Sequence, residues 1–186
     1  MSEHERALLL SLHPRFAESI LRGTKSVEIR RKRPSAKPGT LVIIYATIPT
    51  GAVIGTARVV DTHTGDPCEV WSQHHADIDL SREEFYGYLS GASKASALVL
   101  SDVERLERPV SLAELRATVP FHPPQGYRYL TPDTLRQILN GSPEAPNILA
   151  RMSASGRTAG VSDAYLISES DVHSKTPIRP AWLLDK

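Results

Sequence analysis

The sequence predicts an α+β fold, a small mixed β-barrel of about five to six strands with short flanking helices. Three observations carry that expectation. Apolar runs of strand length recur along the chain, as at Ala7–Leu12, Leu41–Ala46 and Ala97–Leu100. The helical patterns between them are short and bounded by caps. A regular alternation of strand and long helix is missing, which argues against a doubly wound parallel sheet.

Taken in order, Ala7–Leu12 is continuously apolar and reads as a buried strand. Pro14 suits the first position of a helix. Phe16, Ala17, Ile20 and Leu21 recur at helical spacing, and Gly23 is the expected stop. Lys25–Arg31 alternates, with Val27 and Ile29 opposed to Ser26, Glu28 and Arg30. Pro34 and Pro38-Gly39 punctuate a loop. Leu41–Ala46 reads as a central strand, and Ala52–Val60 alternates again, with Gly55 marking a close backbone approach. A helix is expected over Pro67–His75. A second opens on the capping box Ser81-Arg-Glu-Glu84 and ends at Gly91. Ala95–Leu106 returns to strand. Another capping box, Ser111-Leu-Ala-Glu114, starts a short helix through Arg116. Pro120–Leu130 is too rich in proline for helix. Pro132–Leu139 forms the last helix, closed by Asn140-Gly141. The folded domain is expected over 7–140. Residues 141–186 are rich in Ser, Pro and Gly and read as a tail, largely flexible or loosely docked, with Val161–Ile167 and Ala181–Leu184 able to dock.

Composition narrows the function classes. The chain has 186 residues, 40% hydrophobic and 23% charged, as a folded protein of one domain plus an appendage would be. Its one cysteine, Cys68, excludes a disulfide framework or a multi-cysteine zinc site. No apolar run approaches the ~20 residues of a membrane span, and the polar start Met1–Arg6 is unlike a signal peptide. The expected location is therefore cytoplasmic. Net charge is +1, unlike the basic balance common in nucleic-acid binders. That charge is unevenly spread. Arg22, Lys25, Arg30, Arg31, Lys32, Arg33 and Lys37 stand against Glu28 alone, so this stretch carries +6 and the remainder −5. A local positive field on a neutral protein steers anionic partners. The plainer alternative is a charged rim protecting an edge strand.

The densest chemical signal is Gly23-Thr-Lys-Ser-Val-Glu-Ile-Arg30. A glycine turn sets Lys25 at a strand entrance, with Glu28 and Arg30 following on one face. Neighbouring cations favour the charged form of a carboxylate. Such a carboxylate accepts hydrogen bonds from an exocyclic amino group such as that of cytosine. Lys25, Arg30 and Arg31 suit phosphate, while Lys25 and Glu28 could instead form an acid–base pair. An ion pair that merely ties the barrel together is the structural alternative. The second signal is Gln125-Gly-Tyr-Arg-Tyr129. Tyr127 and Tyr129 offer stacking, Arg128 a phosphate contact and Gln125 a base edge, or else the two rings close the core. Tyr45 and Thr47, ending the central strand, are weaker candidates.

Other constellations are set aside. His63, Asp66, Cys68, His74 and His75 lack metal-ligand spacing. No Gly-x-Ser-x-Gly elbow, phosphate loop or dinucleotide fingerprint occurs. No helix-turn-helix stands out, and neither a metal nor a cofactor is implied.

The residues also resemble a known family. Ser11–Arg31 resembles the opening of ASCH domains in the PUA-like superfamily, whose hallmark is a helix ending in Gly-x-Lys, here Gly23 and Lys25, then x-x-Glu-x-Arg, here Glu28 and Arg30. Tyr45–Pro49, Ala52–Gly55, Asp66-Pro67, Trp71, Ser81–Tyr88 and Pro123–Leu130 look like a prokaryotic subgroup of these domains. The resemblance covers about 8–131. It implies a PUA-like barrel with a cleft over the Lys-Glu-Arg strand, and RNA or modified-nucleobase recognition. Some members of the resembled family are similar to ribonucleases or to amidohydrolases of acylated cytidine. The amidohydrolase type carries Thr three residues after the Lys. This sequence has Glu28 there, so that hydroxyl nucleophile is missing from its place.

Three function classes follow. The first is a module binding RNA, single-stranded nucleic acid or a nucleotide through Lys25, Glu28, Arg30, Arg31, Tyr127 and Tyr129. The second is an RNA- or nucleoside-directed hydrolase, either a metal-independent ribonuclease or an amidohydrolase, using Lys25 and Glu28. The third is a protein-interaction adaptor that only reuses the fold. Neutral overall charge with a local basic stretch favours a pocket-sized contact over a broad grip on duplex DNA.

Overall fold

The computed structural model describes residues 6–155. Its strands are β1 (Ala7–Leu12), β2 (Val27–Arg30), β3 (Leu41–Ala46), β4 (Ala52–Gly65), β5 (Ala95–Ser111) and β6 (Tyr127–Leu130). Its helices are α1 (Pro14–Leu21), α2 (Pro67–His74), α3 (Arg82–Tyr88), α4 (Leu112–Leu115), α5 (Pro132–Ile138) and α6 (Ala145–Ser155). The strands form one sheet in the order β2-β5-β4-β3-β1-β6. Only β1 and β3 pair in parallel; the other pairs are antiparallel. The sheet curls into a half-barrel, so the fold is α+β and mixed, as expected.

The curl comes from the long strands. β4 and β5 stay paired from Ala52–Ser111 to Gly65–Ala95, with register shifts near Val53/Gly55, Thr56/Arg58 and Val59/Asp61. Each irregularity bends and twists the ribbon. At Gly55 an added Cβ would lie 2.7 Å from the Glu104 carbonyl oxygen and would also strike Leu21. That glycine lets α1 close onto the sheet.

Alternation sends each strand's side chains to two cores. Leu8, Leu10, Val42, Ile44, Ile54 and Leu98 pack with Ala17 and Ile20 of α1. Leu9, Leu41, Ile43 and Tyr45 pack on the other face with Leu115, Leu135, Ile138 and Ile148. A third cluster joins Val27 and Ile29 of β2 to Val70, Ile78, Phe85 and Leu89.

Two elements depart from expectation. The Pro-rich segment 120–130 ends in strand β6, which pairs antiparallel with β1. Residues 141–155, expected as the start of a loosely docked tail, carry α6 instead. Ile148 is fully buried, and Arg151 bonds the Asp102 and Glu104 carboxylates at 3.0 and 2.5 Å. Ile148, Leu149 and Met152 do fall at helical spacing, but the stripe is little more than one turn long and follows a Ser-, Pro- and Gly-rich stretch. The docking segments expected at 161–167 and 181–184 lie outside the described residues.

Since α6 belongs to the core, Ile148→Ala is expected to lower the unfolding free energy by about 3 kcal/mol. Urea unfolding measures this; a loss below about 1 kcal/mol would detach α6 from the cooperative unit.

Candidate functional site

The site begins at the C-terminal end of α1. Gly23 has φ +76°, a left-handed conformation open to glycine at little cost. Its N–H donates to the Ile20 carbonyl at 3.0 Å, and that of Thr24 to the Ser19 carbonyl at 3.0 Å. This paired closure is a Schellman motif. It turns the chain so that the Lys25 N–H also meets the Ser19 carbonyl, at 3.2 Å. The Lys25 side chain then enters the interior. Only 2% of the residue is exposed.

Three charges converge there. Lys25 Nζ donates to the Ile78 carbonyl at 2.5 Å and stands 3.3 Å from Glu28 Oε2. Arg30 Nη2 stands 3.2 Å from Glu28 Oε1 and donates to the Ser11 carbonyl at 3.2 Å. Glu28 and Arg30 share a face of β2 because they are two residues apart. A carboxylate has about four acceptor positions. The two ion pairs leave Glu28 with acceptor capacity toward the space above it.

That space is a cavity of about 440 Å³. Lys25, Glu28 and Arg30 line it together with Leu12, Phe16, Ile29, Leu80 and Tyr88, while His13 and Glu84 stand among its polar residues. An ion pair crosses from α1 to α3 here: Arg15 Nη1 reaches Glu84 Oε1 at 2.6 Å. The Arg15 guanidinium and the Ser81 backbone N–H hold the Glu84 carboxyl down at about 2.

The cavity occupies a seam. β2 and β6 are the two ends of the sheet order, yet side chains join them. Arg30 reaches β1 at Ser11, whose own N–H donates to the Gly126 carbonyl at 2.9 Å. The Tyr127 hydroxyl donates to the Arg33 carbonyl at 3.2 Å.

Not every expected residue gathers here. Lys25, Glu28 and Arg30 converge on the cavity floor, but Lys25 is buried and committed to Ile78 and Glu28, so it stands as a partner of the carboxylate. Arg31, Gln125 and Tyr127 line an adjoining concavity. Tyr45 lies elsewhere: strand alternation sends it to the opposite core, where it is 2% exposed and burial raises its phenol above the ordinary range. Arg128 likewise points away, its guanidinium 5.0 Å from the centre of the Phe121 ring. Tyr129 packs against the α1-side core with Arg6 5.0 Å over its ring. The Thr47 N–H donates to the Leu12 carbonyl at 2.8 Å, joining the ends of β3 and β1 outside the cavity lining. The sequence reading missed His13, Phe16, Glu84 and Tyr88. Phe16 fell in the apolar pattern of α1 and Glu84 in a capping box, while His13, the N-cap of α1, and Tyr88 carried no local signal. Among the described residues, no group of three His, Cys, Asp or Glu could hold a metal ion, and no helix is long and apolar enough to cross a membrane.

A mixed half-barrel with a Lys-Glu-Arg triad under a cleft at the seam between its end strands defines a recognisable class of protein. The family model for the ASCH domain matches residues 10–109, and the chain belongs to that family. A ribonuclease described as ASCH domain-containing, from Zymomonas mobilis, is 33% identical over 133 residues, spanning 71% of this chain and 89% of its own. The crystal structure of ASCH from Zymomonas mobilis superposes with a TM-score of 0.67 at 32% identity, covering 75% of this chain and 96% of that one. The large ribosomal subunit protein uL22 of Ureaplasma parvum matches at 25% identity over 69% of this chain and 40% of its own length.

Two outcomes follow from the site's electrostatics. Lys25→Ala removes one partner from a buried charge cluster and is expected to lower the unfolding free energy by about 3 kcal/mol, read by urea titration; an unchanged midpoint would show the ammonium to be dispensable. The Glu84 pKa falls on folding from 4.5 to about 2, so its contribution is fully present above about pH 4.5 and is lost as pH falls toward 2. The Tm difference between wild type and Glu84→Gln is therefore expected to shrink across that window. It will be small, because the pair is exposed and salt-screened. A difference that persists undiminished at pH 2 would contradict the assignment.

Proposed function

We propose that the protein binds single-stranded RNA and takes one unpaired base into the cavity over Glu28. The observation that carries this reading is the buried carboxylate held between Lys25 and Arg30, with acceptor capacity facing a cavity of about 440 Å³. A carboxylate in that state accepts from the exocyclic amino group of a base. Phe16 and Tyr88 supply ring surface on which a base can lie. The apolar walls tolerate a substituent on the base, which supports a modified nucleobase as the finer form of the ligand. Lys25 acts by holding Glu28 in place, and Arg30 by presenting positive charge at the seam.

RNA cleavage is the second reading, favoured by the 33% identical relative being named a ribonuclease. In that case Glu28 would take the proton of the 2′-hydroxyl as that oxygen bonds to phosphorus, and Lys25, 3.3 Å from Glu28, would give a proton to the 5′-oxygen as the P–O5′ bond breaks. Arg30 would stabilise the negative charge that develops on the phosphate.

Fluorescence anisotropy with labelled r(C)6 and r(A)6 tests the binding reading. Wild-type affinity is expected to fall with salt, the log–log slope being about −0.7 per phosphate contacted. Glu28→Gln is expected to weaken binding about tenfold, with its fold checked by circular dichroism. Binding indifferent to Glu28→Gln, or no binding at low salt, would overturn the reading. Gel analysis of the same RNA after incubation decides between the two forms: fragments that disappear in Glu28→Gln support cleavage, and intact RNA restricts the function to binding.

A further inference from the structure

A second concavity, of about 950 Å³, adjoins the first and shares Arg30 and Tyr88 with it. Its charged lining consists of Arg30, Arg31, Lys32 and Lys94, with no carboxylate among them. The first cavity, by contrast, contains Glu28 and Glu84. Arg31 is anchored by donating to the Ser90 carbonyl at 2.9 Å. Lys32 and Lys94 are exposed and make no hydrogen bond or ion pair among the described residues. Lys32 lies just past β2 and Lys94 just before β5, at the same end of that antiparallel pair, where Arg30 is in register with Ser96.

Arg30 supplies a second, independent observation. The residue is 9% exposed, and its Nε is buried without a hydrogen-bond partner. An unmet donor on a buried cation carries a desolvation cost. Its guanidinium belongs to both lining sets, and on the groove side it faces Gly126, where an added Cβ would stand 3.6 Å from Nη1. The groove therefore brings one buried guanidinium and two unspent ammonium groups to one place. Such a set suits an anion with several acceptor oxygens.

The geometry points to a phosphodiester subsite in this groove, so that the protein recognises a dinucleotide step rather than a lone base. This rests on the base-binding reading above. The base over Glu28 is followed by its phosphate on Lys32, Lys94 and Arg30. The next base leaves the cavity by way of Tyr88, which is 43% exposed and lines both spaces. A ring at that position separates the two bases and offers the second one a stacking face.

The test measures wild type, the Lys32→Ala/Lys94→Ala double variant, Tyr88→Ala, Tyr88→Phe and Glu28→Gln. Each is titrated with r(C)6 or r(A)6, whichever wild type binds more tightly, and with the matching nucleoside, which has no phosphate. The double variant is expected to bind the hexamer at least tenfold more weakly and to lower the log–log salt slope by about 1.4, two contacts at 0.7 each. Its affinity for the nucleoside should equal that of wild type. Tyr88→Ala is expected to lose about tenfold on the hexamer, and Tyr88→Phe to restore it. If Glu28→Gln weakens the hexamer while the double variant leaves its affinity and slope unchanged, the subsite is wrong and the base-binding reading survives. If the double variant loses the hexamer and Glu28→Gln does not, the groove binds phosphate but the base pocket, and with it the dinucleotide step, falls. Equal loss of nucleoside and hexamer in the double variant overturns the subsite, and absence of wild-type binding overturns both.

Discussion

The buried ion pairs of Glu28 with Lys25 and Arg30 are the constraint around which the fold is arranged. Charges taken out of water are costly unless they are paired. Here each cation satisfies the carboxylate and then holds a backbone carbonyl of another element: Lys25 that of Ile78 and Arg30 that of Ser11. Both side chains thus act as struts. Lys25 pins the α2–α3 connection against β2, and Arg30 ties β2 to β1 across the gap that the sheet leaves open. Replacing such a cluster by hydrophobic residues is often neutral or stabilising, so stability alone is a weak reason for keeping three charges there. A ligand that needs a fixed carboxylate is a stronger one.

The rest of the architecture brings these groups together. The Schellman closure of α1 converts a helix end into the entry of Lys25. Gly55 lets α1 lie close to the sheet. Register shifts in β4 and β5 curl the sheet until its two end strands come within side-chain reach of each other. Among the described residues the seam is bridged by side chains instead of a continuous ladder, which leaves room for a cavity.

Much of this was legible in the residues. The alternation at 25–31 put Glu28 and Arg30 on one face. Pro14, Gly23 and the two Ser-x-x-Glu boxes set helix ends that the structure reproduces within a residue or two. Membership of the ASCH family was visible in the Gly-x-Lys and Glu-x-Arg spacing. What failed was anything that depended on distant partners. β6 is four residues long, and its strand character comes from pairing with β1, which no local pattern reports. Tyr45 looked available because it ends a strand, but alternation sends it to the other core. Tyr88 carried no signal of its own, and its place between two concavities arises only when β2 and the loop before β5 meet. Helix α6 escaped because its apolar stripe, Ile148, Leu149 and Met152, is little more than one turn long and sits in a Ser- and Pro-rich context.

Arg30 is a shared wall, and sharing has a thermodynamic consequence. Any charge placed on one side of the guanidinium alters the field felt on the other. An anion seated in the groove reduces the positive potential that balances Glu28, and a donor seated on Glu28 changes how tightly the guanidinium is held toward the groove. Were both spaces to take a ligand, they would be linked, and linkage is reciprocal: whatever factor one occupant imposed on the second, the second would impose on the first.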